Sequence, residues 1–131
     1  MTVLLPQPIP STSGWQLVDW LDDSYSSAPA GSGGTATITL PSLDTVTRWQ
    51  LTHAVAFCST TANPAMRMYL SSTVPNQLRD GTDAGKFAVA DWPMGLMVPP
   101  AQNLIAVWSG CNAGDVATLN LQANIFRLVS S

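Results

Sequence analysis

The feature that most restricts the fold of this chain is a two-residue alternation of apolar and polar side chains, which is clearest near the C-terminus. Apolar residues occupy every second position there and uncharged polar residues the positions between, namely Ala117, Leu119, Leu121, Ala123 and Ile125 against Thr118, Asn120, Gln122 and Asn124. Successive side chains of a strand point to opposite faces, so this pattern is typical of a strand with one buried face. Because windows of about 11 residues show no 3.6-residue period, the chain is predicted to be all-β.

Eight segments have this alternation or a strand-like composition, and clusters of Gly, Pro, Asn and Asp separate them: 15–20, 35–40, 46–58, 65–71, 87–92, 96–98, 104–109 and 116–129. Regular spacing with turn residues between the strands predicts one β-sandwich over residues 15–131, and a jelly roll is its eight-stranded form. Residues 76–85 are predicted to be a turn because of Asp80-Gly81, and Pro93 and Gly95 predict another turn.

The third segment, 46–58, carries the only histidine of the chain. Strict alternation predicts a core face and a wetter face for it, the first with Trp49, Leu51, His53, Val55 and Phe57, the second with Gln50, Thr52 and Cys58. His53 is accordingly expected to be a structural residue, hydrogen-bonded through one ring nitrogen at a core or interface position.

Residues 1–14 are predicted to form an extended N-terminal arm, because Pro6, Pro8 and Pro10 oppose a helix there. The arm also carries four apolar side chains: Val3, Leu4, Leu5 and Ile9. Two explanations of these side chains stay open. The arm docks on a neighbouring subunit or a partner, or it packs along its own domain as an edge segment.

The charge content is low, since only 10% of the residues are charged where an average domain has about 25%. The net charge is −3 and no basic run occurs, which argues against nucleic acid as a partner. No apolar run suits a signal peptide or a membrane span, so we expect a soluble protein made in a cytoplasm. Cys58 and Cys111 are therefore expected to be free thiols, with a bridge between them as the lesser alternative.

No group of residues in the sequence has the spacing of a catalytic or metal site. A single histidine with two distant cysteines does not form a zinc motif. Asp19, Asp22 and Asp23 lie close together, but they lack the glycine and glutamate of a calcium loop and are expected to cap the end of the first strand. Neither a nucleophile elbow nor a phosphate-binding glycine loop is present. The sequence therefore predicts a protein that is not an enzyme and has no metal or cofactor.

Five tryptophans are unusual for a chain of this length. Trp49 and Trp108 lie in apolar segments and are expected in the core, whereas Trp15, Trp20 and Trp92 are candidates for exposure. Exposed tryptophans serve protein interfaces or stack on sugar rings, and the interface is the preferred interpretation. The predicted interface residues are these three tryptophans and the four apolar residues of the arm.

Short motifs of the C-terminal half resemble a family of small virion proteins of tailed phages, especially phages that infect actinobacteria. The similar segments, which follow a strand at residues 66–70, are Asp80-Gly81-Thr82-Asp83-Ala84-Gly85, Val89-Ala90-Asp91, Val98-Pro99-Pro100, Val107-Trp108-Ser109-Gly110 and Gly114-Asp115-Val116-Ala117-Thr118. The resemblance implies a β-sandwich component of the virion, either a capsid decoration protein or a small tail protein.

The expected function is therefore that of a capsid decoration protein, a homotrimer by analogy, which binds the major capsid protein on the outer surface of the shell and stabilises it. The alternative is a tail-tip or fibre protein that binds a host glycan through exposed tryptophans. A free-standing carbohydrate-binding domain is a third interpretation, weakened because no secretion signal is evident.

Overall fold

A computed structural model of the chain describes residues 14–129. It contains eight strands: β1 Gly14–Ser26, β2 Thr35–Thr39, β3 Thr47–Cys58, β4 Ala65–Leu70, β5 Leu78–Thr82, β6 Phe87–Val98, β7 Leu104–Ser109 and β8 Ala117–Val129. A single 3₁₀ turn at Pro75–Gln77 is the only helical element of the described residues, and nothing helical there is long and apolar enough to cross a membrane. The prediction of an all-β chain is confirmed.

The strands form two four-stranded sheets with the orders β1-β8-β3-β6 and β2-β7-β4-β5. We call these the first and the second sheet. Every pairing is antiparallel, and β1 pairs with β8, β2 with β7, β3 with β6 and β4 with β5. This nested pairing, in which the chain folds back on itself and rolls into two layers, is the topology of a jelly roll. The predicted architecture is confirmed.

The core lies between the two sheets, and each sheet contributes both large and small buried side chains. The first sheet supplies Leu51 and Leu121, and the second sheet supplies Met68 and Trp108. Trp108 is fully buried, and its indole N–H donates to the carbonyl of Gly85 at 2.9 Å. The expected core position of Trp108 is therefore correct. Trp49 is half-buried and packs against the same core.

The predicted turn at residues 76–85 is partly wrong, because Leu78–Thr82 forms strand β5. Asp80 and Gly81 lie within the strand, paired with Met68 and Arg67 of β4. A β-carbon at Gly81 would lie 2.6 Å from Cδ of Arg67. Gly81 therefore lets the side chain of Arg67 pass close to the backbone of β5, and glycine within a strand often marks such a close approach. The sequence analysis interpreted this glycine as part of a turn.

The two segments predicted at 87–92 and 96–98 form one long strand, β6, with an irregularity between them. Asp91 pairs with His53 and Leu96 pairs with Leu51, so the four residues 92–95 of β6 oppose a single residue of β3. Gly95 has φ +80°, a conformation that glycine adopts without strain. The Pro93 and Gly95 signals thus mark a bulge instead of a turn between separate strands.

The same irregularity overturns the predicted faces of β3. The alternation shifts between Leu51 and His53, so the residues after it have exchanged faces. Val55 and Phe57, predicted in the core, lie on the outer face, and Cys58, predicted on the wetter face, is buried. The face change also places His53 outside the core, where it is half-exposed.

Strand β1 is longer than predicted, since it continues past Trp20 to Ser26. Asp19, Asp22 and Asp23 therefore lie inside a strand and do not cap its end. β1 is an edge strand of its sheet, so these carboxylates remain exposed to water. Charged side chains on an edge oppose strand pairing with another molecule along that edge.

Candidate interaction surface

The large apolar side chains that remain exposed are concentrated on one of the two sheets. Nine of them lie on the strands of the first sheet: Leu17, Val18, Trp20, Phe57, Phe87, Val89, Met94, Met97 and Leu128. Within residues 14–129 the others are Leu78 on β5 and Val74 in the preceding loop. On the second sheet, edge strand β2 presents Thr35, Thr37 and Thr39 to water. The exposed apolar side chains of the described domain are therefore concentrated on the first sheet.

Two cross-strand pairs form the centre of one apolar region on this face. Phe57 lies opposite Phe87, and Val55 lies opposite Val89, across the β3–β6 pairing. Directly opposed side chains in an antiparallel sheet have β-carbons about 4.5–5.5 Å apart. Phe87 is 65% exposed and Val89 52% exposed. We call these four residues the apolar patch. It extends to the free edge of the first sheet, because β6 is an edge strand.

A hydrogen-bonded polar pair borders the apolar patch on the same two strands. His53 lies opposite Asp91, and its Nδ1 is 2.6 Å from Oδ1 of Asp91. The expected single hydrogen-bonded ring nitrogen is present. The outer-face position excludes the core alternative for His53, and the interface alternative stays a prediction. Among residues 14–129 no hydroxyl or thiol group hydrogen-bonds to this ring, so the pair has an orienting carboxylate without a nucleophile. It gives the apolar patch a polar border, as interfaces commonly have.

A second feature lies toward the opposite edge of this face, around Trp20. Trp20 is 70% exposed and borders a shallow groove with Asp22, Thr52, Gln122 and Asn124. A flat aromatic ring beside carboxylate and amide groups offers one stacking surface and several hydrogen-bonding groups. We call this feature the Trp20 groove.

The other two candidate tryptophans are less available than Trp20. The Trp15 ring is covered by the guanidinium of Arg48, whose Cζ is 4.6 Å from the ring centroid, an arrangement typical of a cation–π contact. Trp92 packs against the core, and its indole N–H donates to Oδ2 of Asp80 at 2.8 Å. Of the predicted exposed tryptophans, Trp20 alone is strongly exposed.

The remaining predicted interface residues, Val3, Leu4, Leu5 and Ile9, lie outside the described residues. The described chain does begin beside the candidate surface, since Gly14 pairs with Val129 and Trp15 with Leu128. The two chain ends of the described domain therefore leave from one end of the first sheet.

Sequence reasoning missed the apolar patch because both faces of β3 and β6 are apolar. The buried face of this part carries Ala54, Ala56, Ala88 and Ala90, while the larger Val and Phe side chains point outward. Assigning the larger side chains to the core is the usual rule, but here the alanines face the second sheet across a cleft of about 430 Å³ that Met66 and Met68 also line. The signal in the sequence was the alternation of large with small apolar residues at 87–90, which does not itself reveal which face is inside.

Metal-binding groups are also sparse on the described part of the chain. No set of three or more His, Cys, Asp or Glu side chains within residues 14–129 is placed to hold a metal ion. Cys58 and Cys111 are both buried with free thiols, and they lie at the opposite end of the sandwich from the two chain ends.

Comparison with known proteins finds no matching family model and no matching curated protein. Among solved structures, a chain of the Nora virus structure is similar at a TM-score of 0.47 and 10% identity, over 100% of this chain and 66% of that one. This chain thus spans just under two thirds of the Nora virus chain.

Two further similar structures are known. One is the virus-like particle of the extra small virus of the giant freshwater prawn Macrobrachium rosenbergii, at a TM-score of 0.41 and 11% identity, over 95% of this chain and 89% of that one. The other is an aminopeptidase from a marine sediment archaeon, at 0.33 and 10%, over 88% and 34%. Because these structures include both virus particles and an enzyme, they do not distinguish among classes of function.

Proposed function

We propose that this protein is a structural component of a tailed-phage virion, and that it serves as a decoration protein bound to the outer surface of the capsid shell. The observation that carries the proposal is the one-sided distribution of exposed apolar side chains on the first sheet. A monomer in solution rarely leaves a large contiguous apolar surface in water, and such surfaces usually mark an interface. The proposal assigns the protein no catalytic reaction.

The composition of the rest of the surface supports the same role. A shell component is packed beside many identical copies, and few charges mean little mutual repulsion and few charged groups that must lose water on contact. The exposed threonines of β2, at the edge of the second sheet, suit the side that stays in solvent. In this arrangement the apolar patch faces the major capsid protein and the three copies of a homotrimer surround a capsid threefold position.

Particle composition and heat resistance test the proposal together. A decoration protein should be present in hundreds of copies per particle, because it follows the symmetry of the shell, whereas a tail-tip protein should be present in a few. Purified particles analysed by quantitative mass spectrometry give this ratio. A protein that binds only the assembled shell shifts assembly toward that state by mass action, so particles that lack it should release their DNA at a lower temperature.

The control is the same depleted particle after purified protein has been added back. If these particles regain heat resistance, the lower release temperature was caused by the missing bound protein and not by faulty assembly. A copy number of only a few, or depleted particles that withstand heat as well as complete ones, would show that the decoration role is wrong.

A second function has its own supporting observation, which is the Trp20 groove. A tail-tip or fibre protein that binds a host glycan would use Trp20 to stack on a sugar ring, with Asp22 and Asn124 as hydrogen-bonding groups. The neutral character of the surface suits a neutral ligand equally well.

The glycan function predicts that Trp20→Ala weakens binding to host cell-wall polysaccharide. Stacking on an aromatic ring is the main apolar contribution to such a site, so we expect at least a tenfold loss of affinity, measured by pull-down on purified cell walls. Trp15→Ala is the matched control, because the Trp15 ring already contacts Arg48. If the wild-type protein does not bind cell walls, or if the two variants bind as well as it does, the glycan function is eliminated.

A further inference from the structure

Two buried cysteines meet at the end of the sandwich opposite the two chain ends. Cys58 is the last residue of β3, and Cys111 lies in the loop between β7 and β8. Their sulfur atoms are 3.7 Å apart although the residues are 53 positions apart in the chain. Both thiols are free. The fold therefore holds two thiols in contact without a covalent bond between them.

Each cysteine is fixed by backbone hydrogen bonds to a different loop. The amide of Cys58 donates to the carbonyl of Lys86 at 3.1 Å, and the amide of Cys111 donates to the carbonyl of Gly34 at 2.9 Å. These bonds hold the two backbone segments in place around the sulfur pair. A further 1.6–1.7 Å of approach would bring the sulfur atoms to the length of a disulfide, about 2.0 Å, which is a movement that side-chain rotation and a small loop shift can supply.

Burial keeps the Cys58 thiol protonated in ordinary conditions. Loss of water around the thiol, followed by the hydrogen bond with Cys111, raises the pKa of Cys58 to about 12. Because the thiolate is the nucleophile in thiol–disulfide exchange, a high pKa makes the reaction slow at neutral pH. A reduced protein should therefore persist while its surroundings are reducing and should oxidise only on long exposure to an oxidant.

We propose that Cys58 and Cys111 form a latent disulfide site, which closes when the protein meets a low-molecular-weight disulfide such as oxidised glutathione. One cysteine thiolate attacks a sulfur of the small disulfide and releases one small thiol, which leaves a mixed disulfide on the protein. The second cysteine thiolate attacks the protein sulfur of that mixed disulfide and releases the second small thiol. The two protein thiols lose two protons and two electrons in total, and the small disulfide is reduced by accepting them.

The closed bridge would join the end of β3 to the loop between β7 and β8. A cross-link across a loop this long removes many conformations from the unfolded chain, and native disulfides stabilise proteins substantially for that reason. For a domain of this size we expect the melting temperature to rise by about 5–15 °C on oxidation. Added reductant should reverse the rise.

The experiment starts with fully reduced protein, freed of reductant and incubated with oxidised glutathione in native buffer. Unreacted thiols are then alkylated in denaturant, and the protein is analysed by intact-mass and peptide mass spectrometry. We expect a product lighter than the dithiol by two hydrogen atoms, without alkyl groups, and a linked peptide pair containing Cys58 and Cys111. Its melting temperature is measured by circular dichroism with and without reductant.

Cys58→Ala and Cys111→Ala are the matched controls, because each removes one partner of the pair. Neither variant should gain stability from oxidised glutathione, and each is compared with itself so that any loss of packing does not affect the result. The proposal is overturned if both wild-type thiols still accept the alkylating reagent after incubation at temperatures just below the melting transition. It is equally overturned if the products are stable glutathione adducts or dimers linked between chains.

Discussion

Replacing Trp108 with alanine is expected to lower the free energy of unfolding by about 3–5 kcal/mol. Trp108 is the largest side chain among the fully buried residues of the described domain, and it pairs in the sheet with Ala36 on one side and Met66 on the other. Its loss leaves a cavity between the sheets and removes the hydrogen bond to the carbonyl of Gly85. Small domains have a total free energy of unfolding of about 5–15 kcal/mol, so the substitution removes a large part of the stability of the domain.

Urea unfolding followed by far-UV circular dichroism measures this loss without relying on tryptophan fluorescence. Trp20→Ala is the matched control, since it removes the same side chain from a position that is 70% exposed and should change stability by less than about 0.5 kcal/mol. Trp108→Phe should give an intermediate value, because it keeps most of the packing and loses the hydrogen bond. Equal effects of Trp108→Ala and Trp20→Ala would contradict the assigned core.

Replacing both Phe87 and Val89 with serine is expected to weaken binding to decoration-depleted capsids by at least about 30-fold. A few residues near the centre of an interface contribute about 2 kcal/mol or more, and a total loss of about 2 kcal/mol corresponds to about a 30-fold change, since about 1.4 kcal/mol is tenfold. Serine removes the apolar surface without adding charge. The two side chains are exposed in the free protein, so the fold should remain intact, which circular dichroism can verify.

The control pair is Val74→Ser with Leu78→Ser, which removes exposed apolar side chains away from the first sheet. Val74 is 49% exposed and Val89 52% exposed, so the two valines differ mainly in location. Binding is measured by sedimentation of purified protein with depleted particles. If the control pair weakens binding as much as the test pair, or if neither does, the apolar patch is not the surface that meets the shell.

The architecture could be predicted from sequence because it depends on patterns of neighbouring residues that are clear in this chain. The alternation of β8 and the turn residues between segments are both local, and together they indicate a sandwich of eight strands. The Asp80-Gly81 pair was misread as a turn. Glycine is needed at position 81 because the side chain of Arg67, on the neighbouring strand β4, crosses close to it. No local pattern could have shown that contact.

The candidate surface could be predicted only in part, for a related reason. A bulge changes the face of every residue that follows it, and the register shift in β3 arises from its pairing with β6 and β8. Phe57, which was predicted in the core, therefore lies on the surface. Trp20 was expected to be exposed and is, whereas the exposure of Phe87 and Val89 required knowledge of which apolar face the second sheet covers.

The position of β8 has a consequence for how the protein is made. It is the last strand of the described chain, yet it lies inside the first sheet, hydrogen-bonded to β1 on one side and to β3 on the other. Until β8 has been synthesised, β1 has no partner and the first sheet is incomplete, because only β3 and β6 can pair. Folding of the domain must therefore wait until β8 has left the ribosome, and unpaired apolar strands are open to aggregation during that interval. Slower synthesis at low temperature, which keeps fewer incomplete chains near one another, should raise the soluble yield.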